Sequence, residues 1–272
     1  VNESKCGIQT ERSFTDYRKT KAVVLLFSVV SLIVIFFLPL TSNAQIAFRH
    51  DTLTYNQTWV KDTTYIIDQD LYVPENIVLR INPGVQILIN QGIGIFIEQG
   101  SFLVTGLEEN VVDSVQFKPN YLLPNDDWKW RGIKFKDAAI ENGNMIEFAN
   151  ISNTEIGIEM ENCHNVIIRN SVIWKNQWRG IKIFNSDHCV ISDCFISEGY
   201  LGIEIYASGL GNTASFNLVN TCLIKAQSTG ILIWGRNRGL NTYNLISGSR
   251  LIGNDNGIQL DNGISVYGKN FI

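Results

Sequence analysis

The sequence predicts an all-β solenoid wound from short parallel strands, on three observations. A tetrapeptide, Gly-Ile-x-(large apolar), recurs at Gly132–Phe135, Gly157–Met160, Gly180–Ile183, Gly202–Ile205, Gly230–Ile233 and Gly257–Leu260, at intervals of 25, 23, 22, 28 and 27 residues. Repeats of this length mark folds in which each unit buries its apolar face only against its neighbours. About six residues ahead of most of these glycines stands an aliphatic side chain: Ile151, Ile173, Ile196, Ile224 and Leu251. Two residues before each of those the side chain is small: Ala149, Ser171, Cys194, Cys222 and Ser249. A column that stays small while the segments around it change length reads as an inward slot at a tight corner.

The units are strands. Val166-Ile167-Ile168 and Val190-Ile191 are short, β-branched and bounded by Asn, Asp, Ser and Gly. No segment after residue 45 keeps a helical apolar period over eleven residues, and the leucine-rich-repeat pattern is missing. Asn162, Asn185 and Asn262 each lie five residues past their glycine, where a turn residue tolerant of the left-handed conformation is expected. Three strands and three turns per unit give a right-handed parallel β-helix of roughly nine coils.

The elements follow in order. Five basic and three acidic residues occupy the first 21 positions; Ala22–Leu40 then runs without a charge, and Ser42-Asn43-Ala44 precedes Gln45. This describes a signal peptide over 1–44 cut after Ala44, with an uncleaved membrane anchor as the alternative. The solenoid takes 45–272 without an internal linker. Its early part, Leu79-x-Ile81-x-Pro83-Gly84-Val85-x-Ile87-x-Ile89, alternates apolar and other residues on both sides of a Pro-Gly turn. Gly94–Ile97, Phe102-Leu103-Val104 and Val115-Gln116-Phe117 continue it. At the far end Gly263–Tyr267 reads as one more strand. With no capping unit behind it, the sequence reads as truncated there, or as covered by further coils or a partner.

Val73-Pro74-Glu75 with Ile81–Ile87, followed by Trp130-x-Gly132-Ile133-x-Phe135, resembles the opening of secreted bacterial right-handed parallel β-helix repeat proteins of the pectate-lyase-like superfold. The resemblance covers roughly residues 59–272. It implies the fold and a secreted or cell-surface location. It leaves the activity open, since that family holds polysaccharide lyases, glycosidases and adhesins.

Composition narrows the partners. The whole chain has 22 Lys plus Arg against 26 Asp plus Glu, and the part after Ala44 has 17 against 23. An acidic solenoid is not a bulk electrostatic partner for nucleic acid, and a membrane contact is expected only through an uncleaved N-terminal segment. Four cysteines follow the leader: Cys163, Cys189, Cys194 and Cys222. Cys194 and Cys222 share the small slot and Cys189 falls on a core position, so they read as buried free thiols. Only three histidines and no Cys-x-x-Cys pair speak against zinc. No cofactor is expected; for calcium, Asp187 and Asp193 are the nearest pair, with no third partner evident.

Three features are candidates for function. The x of the tetrapeptide reads Lys134, Glu159, Lys182, Glu204, Leu232 and Gln259, an outward row of alternating charge suited to stacking. Trp130, Trp178 and Tyr200 lie two residues before their glycines and are candidates for stacking on sugar rings. Two consecutive coils carry extra residues, in Tyr206–Ser215 and in Trp234–Thr242, at the same turn. Insertions in a solenoid are pushed out on one face, often the binding face. The lobe expected there brings Arg236 and Arg238 together with Trp234, Tyr206 and Asn212 as an anionic-sugar site. Of the polygalacturonase-like sequence blocks only Asp126-Asp127 matches. The reading is an exported module that binds extracellular polysaccharide for adhesion or recognition. The alternatives are a lyase or hydrolase acting on acidic sugars, and a structural segment of a larger surface protein.

Overall fold

A computed structural model describes residues 44–48, 51–108, 111–120, 128–138, 143–226, 228–261 and 270. The segment expected as a leader, up to Asn43, together with Asp126-Asp127, Asn262 and the strand expected over Gly263–Tyr267, lies outside the described residues. The rest winds as eight coils, each passing through three faces in turn. The first face runs from Gln57–Trp59 to Leu245–Ser247 and the second from Thr63–Ile67 to Arg250–Leu251. The third holds Leu71–Val73, Gly94–Glu98, Gly132–Lys136, Ile156–Glu161, Arg179–Phe184, Leu201–Ser208, Thr229–Arg236 and Asn256–Asp261. Ala44–Phe48 adds a ninth strand to the second face, pairing with Thr63–Ile67. Among residues 262–272 only Asn270 is described. Its side-chain Oδ1 accepts a bond from Asn244 N, extending an asparagine ladder through Asn217 and Asn244.

The ladders are the core. Ile133, Ile158, Ile181, Ile203 and Ile231 pair in register and are all buried. Ile151, Ile173, Ile196 and Ile224 form a second buried column, capped by half-buried Leu251. Within each column isoleucine stacks on isoleucine about 4.8 Å away, so one side-chain shape repeats along the axis. At the N-terminal end Trp59 stacks on Tyr65 at 4.3 Å and 8°, both buried.

The small column has a bonding reason as well as a steric one. The residue before each slot turns the chain with a positive φ, as at Asn170 (51°), Asp193 (53°) and Thr221 (54°). The slot side chain then reaches back over that turn to a carbonyl two residues earlier. Ser171 Oγ donates to Arg169 O at 2.8 Å, and Cys194 Sγ and Cys222 Sγ do the same to Ser192 O and Asn220 O at 3.2 and 3.4 Å. Ser171 Oγ also accepts from Ala149 N of the coil below at 3.1 Å. Four slot residues are buried; Ser249, with the least cover, is half-buried.

The four described cysteines, Cys163, Cys189, Cys194 and Cys222, are buried, and none is in a disulfide. Burial pushes the Cys163 thiol up to about 11 and the Cys189 thiol up to about 12. Both should therefore resist a thiolate-directed reagent at neutral pH and react once denaturant opens the coils. Because these folded-state values lie above the ordinary 9.0, stability should be intact below pH 9 and fall as pH rises from there through 11 to 12. Native-state alkylation with mass readout, and an alkaline denaturation curve, check the two statements.

Candidate functional site

The third face has the longest strands and the most varied outer surface. Alternation along each strand sends every second side chain outward. One outer row reads Tyr72, Phe96, Lys134, Glu159, Lys182, Glu204, Leu232, Gln259. The next reads Glu98, Lys136, Glu161, Phe184, Tyr206, Trp234, Asp261.

The first row is in the expected register, but it is less exposed than its sequence implies. Lys134, Glu159 and Lys182 are half-buried, and Glu204 is buried. The cause is closure by long neighbours. Lys182 Nζ reaches Glu159 Oε1 at 2.8 Å, and Lys134 Nζ lies 3.6 Å from Glu159 Oε2 and 2.5 Å from Glu161 Oε2. Burial alone would lower the Lys134 pKa; its bonds to Glu161 and Glu159 outweigh burial and raise it. Glu204 pairs with Arg179 Nε, takes Arg179 Nη2 at 3.3 Å, and accepts Trp234 Nε1–H at 2.8 Å.

The second row holds an aromatic stack. Phe184 and Tyr206 lie 5.1 Å apart at 16°, and Tyr206 and Trp234 lie 4.1 Å apart at 12°. Tyr206 is thus stacked on both faces, and Phe184 and Trp234 on one face each.

The two insertions meet as the sequence implies. They lengthen adjacent strands to eight residues, pair Ser208 with Arg236, and join through Leu240 N to Asn212 O at 3.0 Å and Ala214 N to Leu240 O at 2.9 Å. Asn212 supports the lobe itself, its Nδ2 donating to Ser208 O at 2.5 Å. Arg236 and Arg238 are exposed, and no described carboxylate pairs with either. Trp178 and Tyr200 are 50% and 51% exposed and occupy adjacent coils at the opposite edge of the face.

Trp130 departs from the expected strip. It is fully buried, stacks near Phe117 with ring centroids 6.5 Å apart, and donates Nε1–H to Ser152 O at 2.8 Å. Its chain turns at Gly132, φ +103°, and the indole gains full burial with its one polar group satisfied. Asp187, one of the two calcium-type acids, is also occupied. It accepts Ser215 N at 2.6 Å and Thr213 Oγ1 at 2.7 Å, tying the lobe to the coil below.

Two groups escaped the sequence reading. A cavity of about 260 Å³ on the third face is lined by Tyr72, Phe96, Glu98, Arg131, Lys134, Lys136 and Glu161. Following the outward row one coil below Lys134 would have found Phe96, in the Gly94–Ile97 copy of the tetrapeptide. At the turn into the first face, His188, Phe216 and Tyr243 stack at 5.0 and 5.1 Å, each with a positive φ. Its signal is the echo of Phe216-Asn217-Leu218-Val219 in Tyr243-Asn244-Leu245-Ile246.

Coils of three parallel strands with a cavity and a lobe on one face define a β-helix repeat protein. The chain belongs to the right-handed β-helix family, whose model, described as "Right handed beta helix region", matches residues 84–245. No curated protein is detectably similar in sequence. Among solved structures the chain is similar to a double mutant of the periplasmic alginate epimerase AlgG. That similarity has 12% identity and a TM-score of 0.34, covering 85% of this chain and 68% of the other. A single mutant of the same epimerase gives 13% identity and a TM-score of 0.32, covering 77% and 59%. At such values the similarities carry nothing about this chain's chemistry.

Proposed function

We propose that this protein is an exported β-helix module that binds extracellular acidic polysaccharide through its third face, in adhesion or recognition. The observation that carries the reading is the lobe. Arg131, Lys134, Arg179 and Lys182 on this face close on carboxylates, whereas Arg236 and Arg238 project from a hydrogen-bonded two-coil insertion without a described acid partner. Two guanidiniums so placed suit carboxylate or sulfate groups through charge-assisted hydrogen bonds.

Replacing both arginines by alanine should lower affinity for an anionic glycan at least about tenfold, the loss of one or two charge-assisted bonds. The circular dichroism spectrum should not change. A glycan array followed by calorimetry on the anionic hits measures this. Unaltered affinity in the double variant would place the anion elsewhere.

The cavity supports a second reading, a lyase or hydrolase on acidic sugars, because Lys136 lies there between Glu98 and Glu161 in one row. Release of new sugar ends from a bound glycan, lost in Lys136→Ala, would favour it.

A further inference from the structure

Trp178 with Tyr200, and Arg236 with Arg238, stand at opposite margins of the third face. We propose that they are two subsites for one linear acidic polysaccharide, which lies along the strands and not along the helix axis. The proposal rests on the reading above and adds the direction and minimum length of the ligand.

The register sets the span. Ser228 N donates to Tyr200 O at 3.0 Å, so Tyr200 is level with the start of the strand Thr229–Arg236. Eight residues further on, at about 3.3 Å each, Arg236 lies about 26 Å away. Trp178 is one coil below Tyr200, only about 4.8 Å along the axis. A chain running along the axis would meet one margin and never the other.

The two margins offer different chemistry. Trp178 and Tyr200 are half exposed, and neither stacks on another described ring, so their faces are open to the apolar face of a sugar. Tyr206 cannot serve in that way, because both its faces are stacked, and Phe184 and Trp234 at the ends of that stack each have one face taken. The arginine margin supplies the charge.

The ground between is passable to an anion. Glu204 is closed by Arg179 and Trp234, and Glu159 by Lys134 and Lys182. Asp261 pairs with Trp234 from the next coil and so lies beyond the track. Each margin alone makes a weak, exposed contact. A chain long enough to reach both converts the second contact into an intramolecular one, and affinity rises without any new contact.

The experiment titrates the full chain with size-fractionated oligouronates, from the disaccharide to chains longer than the span, and with a sulfated ladder in parallel to identify the anion. The expected result is weak binding of short members and a step of about a hundredfold once the length spans both margins. Trp178→Ala/Tyr200→Ala should remove the step and leave binding of short acidic members intact, which also shows that this variant is folded. Arg236→Ala/Arg238→Ala should remove the step and the short-chain binding together. A gradual rise with length, or a step that survives Trp178→Ala/Tyr200→Ala, overturns the two-margin track and leaves acidic-glycan binding standing. No binding of any length to the native protein overturns both.

Discussion

Gly202→Ala is expected to cost about 3 kcal/mol, the upper end of what overpacking a close-packed interior does. A glycine inside a strand is ordinarily a weakness that alanine relieves by about 0.5–1 kcal/mol, so the sign needs an argument. Gly157, Gly180, Gly202 and Gly230 face the next coil where backbone meets backbone. A Cβ on Gly202 would lie 2.4 Å from Gly230 O and 2.4 Å from Ile224 Cγ2. The carbonyl belongs to the next copy of the same motif and cannot withdraw without breaking the ladder. Gly199 lies in the same coil outside the motif, and the nearest atom to its added Cβ is Leu201 O at 3.4 Å, an ordinary contact. Gly199→Ala should therefore be nearly neutral. Urea midpoints followed by circular dichroism compare the two, and equal costs would refute the close-approach account of the repeat.

That pair of glycines shows why much of the fold is legible in the sequence. A solenoid repeats one environment, so a constraint as local as a missing Cβ prints itself six times at nearly fixed spacing. The isoleucine columns and the small slot print themselves in the same way. Parity within a strand also places Lys134, Glu159, Lys182 and Glu204 in one row.

What parity cannot supply is cover. Glu204 is buried because Arg179 reaches up from the coil below and Trp234 reaches down from the coil above. Those contacts lie 25 and 30 residues away in sequence, and they depend on side-chain length and rotamer. Trp130 escapes for a related reason: it stands just ahead of Gly132, where the local backbone leaves the repeat and parity no longer applies. The aromatic strip was legible as positions two residues before their glycines, and not as orientations. Whether a ring offers its face or its edge depends on what stacks on it, which separates Trp178 and Tyr200, in no described stack, from Tyr206 in the middle of one.

The pair Arg179–Glu204 should respond asymmetrically to truncation. Removing one partner of a buried ion pair costs about 3–5 kcal/mol when the survivor is trapped without compensation. The two survivors here are not trapped alike. Arg179 keeps 29% of its side chain exposed and Glu204 only 1%. In Glu204→Ala the guanidinium can swing into water, and the remaining losses are the Trp234 indole acceptor and some packing, about 2 kcal/mol. In Arg179→Ala the carboxylate stays under Trp234 with one hydrogen bond left, and about 4 kcal/mol is expected. Glu204→Gln preserves an acceptor for Trp234 and should fall below Glu204→Ala. A double-mutant cycle on chemical denaturation measures all of these together. The double variant should be closer to wild type than Arg179→Ala alone, because it removes the stranded charge. If Glu204→Ala proved the costlier single change, the carboxylate would not be the trapped member, and the covering role assigned to Trp234 would fall with it.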